Sequence, residues 1–239
     1  MEPKDENIQD RIEDALMGFP IQFTVGDEPF WLYPKTLGKV YLLNRLRRQL
    51  EINEEFAKTD PFAEALRVCR EKKDIVLRAI VYMASPAKRD IYHESYVVNR
   101  MEFLDKNMTD EEIATVFLII LTDDDLLTFE KHFGFNLEYE RKRKVADVKS
   151  SKNSVSFGAH TIWGTLIDFA CERYGWTFEY VVWGISYVNL MMLYTDKAES
   201  IYLSDEEKKE LGNGFSFDGE VINADDPRNM EKIKSMKWD

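Results

Sequence analysis

Three histidines, two cysteines and a few short acidic and basic runs are the residues of this 239-residue chain whose types could do chemistry. A zinc site needs imidazole or thiolate ligands at short, fixed spacings, because all of them must reach one ion. His93, His132 and His160 are isolated, with neither an HxxxH pair nor a suitable Cys/His spacing. Cys69 and Cys171 lie far apart and form no CxxC pair, so both read as buried small hydrophobes in a reducing compartment rather than as a disulfide framework or reactive thiols. Asp123-Asp124-Asp125 could gather a divalent cation, but the run opens a helical pattern, where exposed N–H groups favour carboxylates, and it reads as a helix start. Asp218, Glu220, Asn223, Asp225 and Asp226 have the composition of a calcium loop without its alternating ligand spacing and distal glutamate, and read as a turn. GxGxxG, GxxxxGK[ST] and GxSxG are all missing, so the usual marks of nucleotide binding and of a serine nucleophile are lacking. The sequence assigns no catalytic residue, no metal ligand and no cofactor site.

Charge narrows the partners. A net charge of −12 opposes the basic footprint that phosphate backbones require. Arg141-Lys142-Arg143-Lys144, with Lys149 and Lys152, is flanked by acidic residues and lacks interleaved aromatics, so it reads as a solvated linker and nucleic-acid binding is not expected. The acidic start, MEPKDENIQDRIEDALMG, lacks the basic region and long apolar core of a secretion signal, which leads to an expected cytoplasmic location.

The elements that would position any site are mainly helical. With 44% hydrophobic residues the chain can bury one large core or two modest ones. After an amphipathic opening helix, Phe19 to Val25 alternates, Gly26-Asp27-Glu28 turns, and Pro29 to Pro34 returns as the second strand of a small ribbon. Thr36 caps a helix over TLGKVYLLNRLRRQL, Asp60-Pro61 opens another over FAEALRVCREK, and IVLRAIVYMAS is a third that ends before Pro86. Thr109 to Glu112 is a capping box before the apolar run IATVFLIIL, and DDDLLTFEKHFG is a further helix closed by Gly134. Residues 1–145 thus read as one ribbon-plus-helices domain and 146–158 as a polar linker. Residues 159–211 read as a second, aromatic helical domain, with a capping box at Ser204 to Glu207. In the 212–239 tail, Asp218-Gly219 makes a hairpin and Asp226-Pro227 opens a last helix.

The second domain carries the strongest signal. Trp163, Tyr174, Trp176, Phe178, Tyr180, Trp183, Tyr187 and Tyr194 crowd a segment with no charge between Glu179 and Asp196. The run is too short to span a membrane and is interrupted by Gly184, Ser186 and Asn189, so a membrane role is not expected. Read as one helix, it aligns Tyr180, Trp183, Tyr187, Met191 and Tyr194 on one stripe and Val181, Ile185, Val188 and Met192 on another. Two apolar faces need two neighbours, one of which could be a partner protein or a second copy. The interface candidates are therefore Trp163, Tyr174, Trp176, Tyr180, Trp183, Tyr187, Met191 and Tyr194.

This order, FWLYPKTLGKVYLLNRL in a ribbon-plus-helix unit, a polar linker, YGW, FEYVVWGISYVNLMMLY and an acidic tail, resembles the tail assembly chaperones of long-tailed bacteriophages and prophages. The resemblance implies a non-enzymatic protein whose first domain binds the tape-measure protein, an aggregation-prone helical rod. Its second domain would help to recruit tail-tube subunits, and the chaperone would be absent from the mature virion. It also implies that an extended product could arise by frameshifting near the linker, where Lys152-Asn153 permits a slippery codon sequence. Residues 212–239 have no counterpart in that pattern. Two other readings stand beside it: a structural tail-completion or connector protein, and an enzyme whose site no motif reveals.

Overall fold

In the computed structural model the described residues are 14, 16–122, 135–150, 161–195 and 201–211. The Asp123–Asp125 helix start, His132, His160, the serine-rich part of the linker and the 212–239 hairpin and helix lie outside them, as does most of the opening helix. The protein is mainly α, with twelve helices and one antiparallel two-stranded ribbon among the described residues.

Strands β1 (Ile21–Val25) and β2 (Glu28–Leu32) pair with Ile21 opposite Leu32, and Gly26 turns the chain at a φ of +59°, which a side chain would disfavour. Helix α1 (Leu37–Arg47) starts at Thr36, whose hydroxyl accepts the Lys39 N–H. A short α2 (Glu54–Thr59) leads to α3 (Pro61–Glu71), capped by Asp60 with Pro61 at its first position, then α4 (Lys73–Ala84) and a brief α5 (Lys88–Tyr92). Helix α6 (Glu94–Asn107), which the sequence reading left out, is followed by α7 (Asp110–Thr122), whose capping box forms as expected: Glu112 accepts the Thr109 N–H at 2.8 Å, and Thr109 accepts that of Glu112 at 3.3 Å.

These elements share one apolar core. Ile113, Phe117 and Ile120 of α7 are spaced along one helical stripe and are buried in the same cluster as Ala65, Val68 and Cys69 of α3 and Val76 and Ile80 of α4. The ribbon closes this core through Phe30, which stacks on Phe103 of α6 at 5.8 Å and lies beneath the Arg100 guanidinium at 4.0 Å. Buried Glu64 is satisfied by the Asn53 N–H at 2.6 Å and by Arg67, whose hydrogen bonds hold its carboxyl below the usual range. Lys73 bridges α6 and α7 through Asp105 and Asp110.

The C-terminal half differs from the sequence reading in three ways. Helix α8 (Phe135–Ser150) runs through the basic stretch expected to be a linker, and Val145 within it is buried. Arg, Lys, Glu and Ala are good helix formers, so the segment is helical without a periodic apolar face. The run read as a single aromatic helix is instead two pieces, α10 (Phe178–Trp183) and α11 (Tyr187–Thr195), preceded by α9 (Ile162–Tyr174). Finally, the chain divides into two compact units along other boundaries than 1–145 and 159–211. Among the described residues, one unit joins 14, 16–122 and 135–139 with 161–195, and the other joins 140–150 with 201–211.

The reason for the new boundary is a second buried cluster within the first unit. Leu37 of α1 packs with Leu166, Ala170, Val181, Ile185 and Leu190, so a side chain from the N-terminal stretch completes the cluster that the aromatic segment builds. Backbone contacts reinforce the join: Thr36 pairs with Ser186 in an isolated bridge, and the Tyr187 N–H donates to the Lys35 carbonyl at 2.6 Å. In the other unit, α12 (Asp205–Leu211) carries the expected second capping box, with the Ser204 N–H donating to Glu207 at 2.7 Å. Lys149 reaches the same Glu207 carboxylate at 3.7 Å.

Candidate functional site

Three local signals shape the aromatic segment. Thr161 caps α9, Gly175 ends it in the left-handed region at a φ of +66°, and Thr177 caps α10 by accepting the Tyr180 N–H at 3.2 Å. Helix α10 then ends at Trp183, with Gly184 as its C-cap still in the right-handed region and Ser186 already in a bridge to Thr36. The Gly184 and Ile185 N–H groups both donate to the Tyr180 carbonyl, and a side chain at Gly184 would collide with the Tyr180 ring. Tyr180 and Trp183 on α10 therefore do not continue a single stripe into Tyr187, Met191 and Tyr194 on α11.

The eight interface candidates separate accordingly. Tyr194, Phe169, Tyr174, Trp176 and Tyr180 form a continuous train of rings, with successive centroids 5.2, 5.8, 4.7 and 5.1 Å apart. Trp163 instead meets Tyr41 of α1 edge-on at 6.3 Å, and Trp183 meets Tyr92 of α5 at 5.7 Å. Trp183 also presses on Gly38, where an added Cβ would lie 2.7 Å from the indole. Tyr187 and Met191 are half-buried against the second cluster. Tyr180, at 46% exposed, faces solvent most among the eight, and Phe178, 61% exposed and not singled out beforehand, stands near it in sequence on α10. Most of the crowded aromatics thus pack half-buried against the protein's own elements, and Phe178 and Tyr180 are the exposed ones.

Beside this train lies a cavity of about 320 Å³, bounded by the residues around Leu16 to Gly18, by Tyr33 to Lys39, by Pro86 and Lys88, and by Tyr180 to Asn189. Lys39 lines it while being only 4% exposed. Its amine donates to the Met83 carbonyl at 3.3 Å and sits 5.5 Å from the Tyr33 ring centre, and burial pushes its pKa down to about 8. Lys88 pairs with Glu179 at 2.8 Å and lies over the rings of Tyr92 and Trp183. Nothing in the local sequence flags Lys39, because its surroundings come from Met83 of α4, from Tyr33 just after β2 and from the aromatic segment.

Other titratable groups are less suggestive. Burial pushes the Cys69 thiol up to about 11, which suits an unreactive core position. His93 shares a hydrogen bond with the Ser95 hydroxyl at the surface. Among the described residues no three His, Cys, Asp or Glu side chains group as a metal site, and no helix is long and apolar enough to cross a membrane. Comparison of the chain with protein-family models, with curated proteins and with solved structures returns no match.

Proposed function

We propose that the protein is a non-enzymatic chaperone of bacteriophage tail assembly that binds the tape-measure protein and helps to recruit tail-tube subunits. The observation that carries this reading is the solvent-facing pair Phe178 and Tyr180, with Tyr180 backed by the ring of Trp176. A rigid aromatic anchor buries a large apolar area with few rotamers to freeze, which is what the hot spot of a binding surface requires. A rod with exposed apolar faces presents the complementary surface, and the net charge of −12 keeps a protein with such anchors in solution. The resemblance described above supplies the assembly context, with action in the cytoplasm of the bacterial host and absence from the finished particle.

Replacing both anchors, Phe178→Ser with Tyr180→Ser, tests the surface. The variant is expected to stay folded, with a thermal midpoint lowered only by loss of the Tyr180–Trp176 ring contact, and to lose capture of the tape-measure protein in a pull-down. Unchanged capture would remove these residues from the interface. Quantifying the protein in purified particles against the lysate separates a chaperone, found only in the lysate, from a structural tail component present at a fixed number per particle.

A further inference from the structure

We propose that the cavity walled by Tyr33, Lys39, Lys88 and Trp183 is a binding site for a carboxylate carried on an apolar or aromatic body. This does not rest on the assembly reading. The first support is a charge without a counter-ion: among the described residues no carboxylate pairs with Lys39, although it is 4% exposed. Its hydrogen bond to the Met83 carbonyl is long at 3.3 Å, and that carbonyl already accepts the Tyr33 N–H at 3.0 Å. An ammonium has three donors, so the protein leaves this one incompletely satisfied in a place where an uncharged side chain would be more stable. With a pKa near 8 the amine is still largely protonated at neutral pH and can meet an anion as a charge-assisted donor.

The second support is the rest of the wall. The lining is mostly polar, and Pro34, Pro86, Tyr180, Trp183 and Ile185 contribute the smaller apolar and aromatic part against which the body of a ligand could lie. Asn189, on the same cavity, donates from its side-chain nitrogen to the Leu16 carbonyl at 3.1 Å, while its side-chain oxygen is buried without a partner. A carboxylate that accepts from Lys39 would complete the hydrogen bonding of the ammonium. Lys88 adds a second cation at the rim, partly offset by Glu179.

The carboxylate could belong to a free small molecule or to an acidic side chain in a peptide segment, and two probes tell them apart. Calorimetric titration of the full-length protein would use 3-phenylpropionate and the capped peptide acetyl-Phe-Glu-amide, with 3-phenylpropanamide as the neutral control. Binding of the acid at least about tenfold tighter than of its amide, with a similar loss in Lys39→Met, is expected for a site built on this ammonium. Preference for 3-phenylpropionate marks a small-molecule site and preference for the peptide marks an acidic segment. Equal binding of acid and amide by the unaltered protein, or no heat from either carboxylate, overturns the proposal whatever the variant does. Retention of full affinity in a folded Lys39→Met does the same.

Discussion

Replacing Lys39 by methionine should stabilise the protein. The unfolded chain holds the Lys39 proton up to about pH 10.5, whereas the folded chain releases it near 8, because burial strips water from the ammonium. That displacement corresponds to about 3 kcal/mol of penalty on the charged form. Methionine has a similar length and no charge, and its introduction leaves no orphan, since the Met83 carbonyl keeps the Tyr33 N–H. At pH 7 the gain should approach about 3 kcal/mol, or roughly 6–12 °C in thermal midpoint for a chain of this size. The pH dependence is the sharper signature. Between about 8 and 10.5 the unfolded state binds more protons than the folded one, so the parent's stability rises with pH while the variant's does not gain this contribution. Urea unfolding at pH 7 and pH 10.5 reads the difference directly: the advantage of Lys39→Met should be full at pH 7 and nearly gone at pH 10.5. A destabilised variant, or an advantage equal at both values, would refute the assignment of a buried, desolvated ammonium.

Three further outcomes follow from the packing. Gly38→Ala should cost about 1–2 kcal/mol in urea unfolding despite alanine's better helix propensity, because the new methyl meets the Trp183 indole, itself held against Tyr92; a stabilised variant would mean that the ring is free to move. A thiol reagent at pH 8 should modify half-buried Cys171 and spare Cys69, whose thiol is buried and pushed up to about 11, so that the second thiol reacts only in denaturant; two equally fast thiols in the native protein would contradict this. Protein cleaved by trypsin after Lys152 should elute as one species in gel filtration, because Leu37 shares a buried cluster with Leu166 and Leu190 from the other fragment; separate elution of two folded fragments would restore the division into 1–145 and 159–211.

Elements with local signals were legible in the sequence. The Gly26 turn, the Thr36 and Asp60 caps and the two capping boxes each act within a few residues, and the continuous apolarity of Ile113 to Leu121 needs a buried helix wherever it packs. Helix α6 was missed because it opens at His93 without a side-chain cap, and polar residues dilute the buried positions Val97 and Leu104. The break at Gly184 was masked by apolar residues on both sides, and it is fixed by the bridge from Ser186 to Thr36, a partner far away in sequence. The same distance hid the candidate site. Which aromatics are core depends on Tyr41, Tyr92 and Gly38, and the buried setting of Lys39 is assembled from three separate stretches of chain.

The most direct measurement is the mass of the complex formed when this protein and the tape-measure protein from the same genome are produced together, determined by light scattering after gel filtration. A tail assembly chaperone should keep the rod in the soluble fraction and elute with it as a single peak of defined mass. In that background the Phe178→Ser, Tyr180→Ser variant should leave the rod in the pellet. A rod that stays insoluble with the unaltered protein present, or that elutes apart from it, would contradict the proposed function.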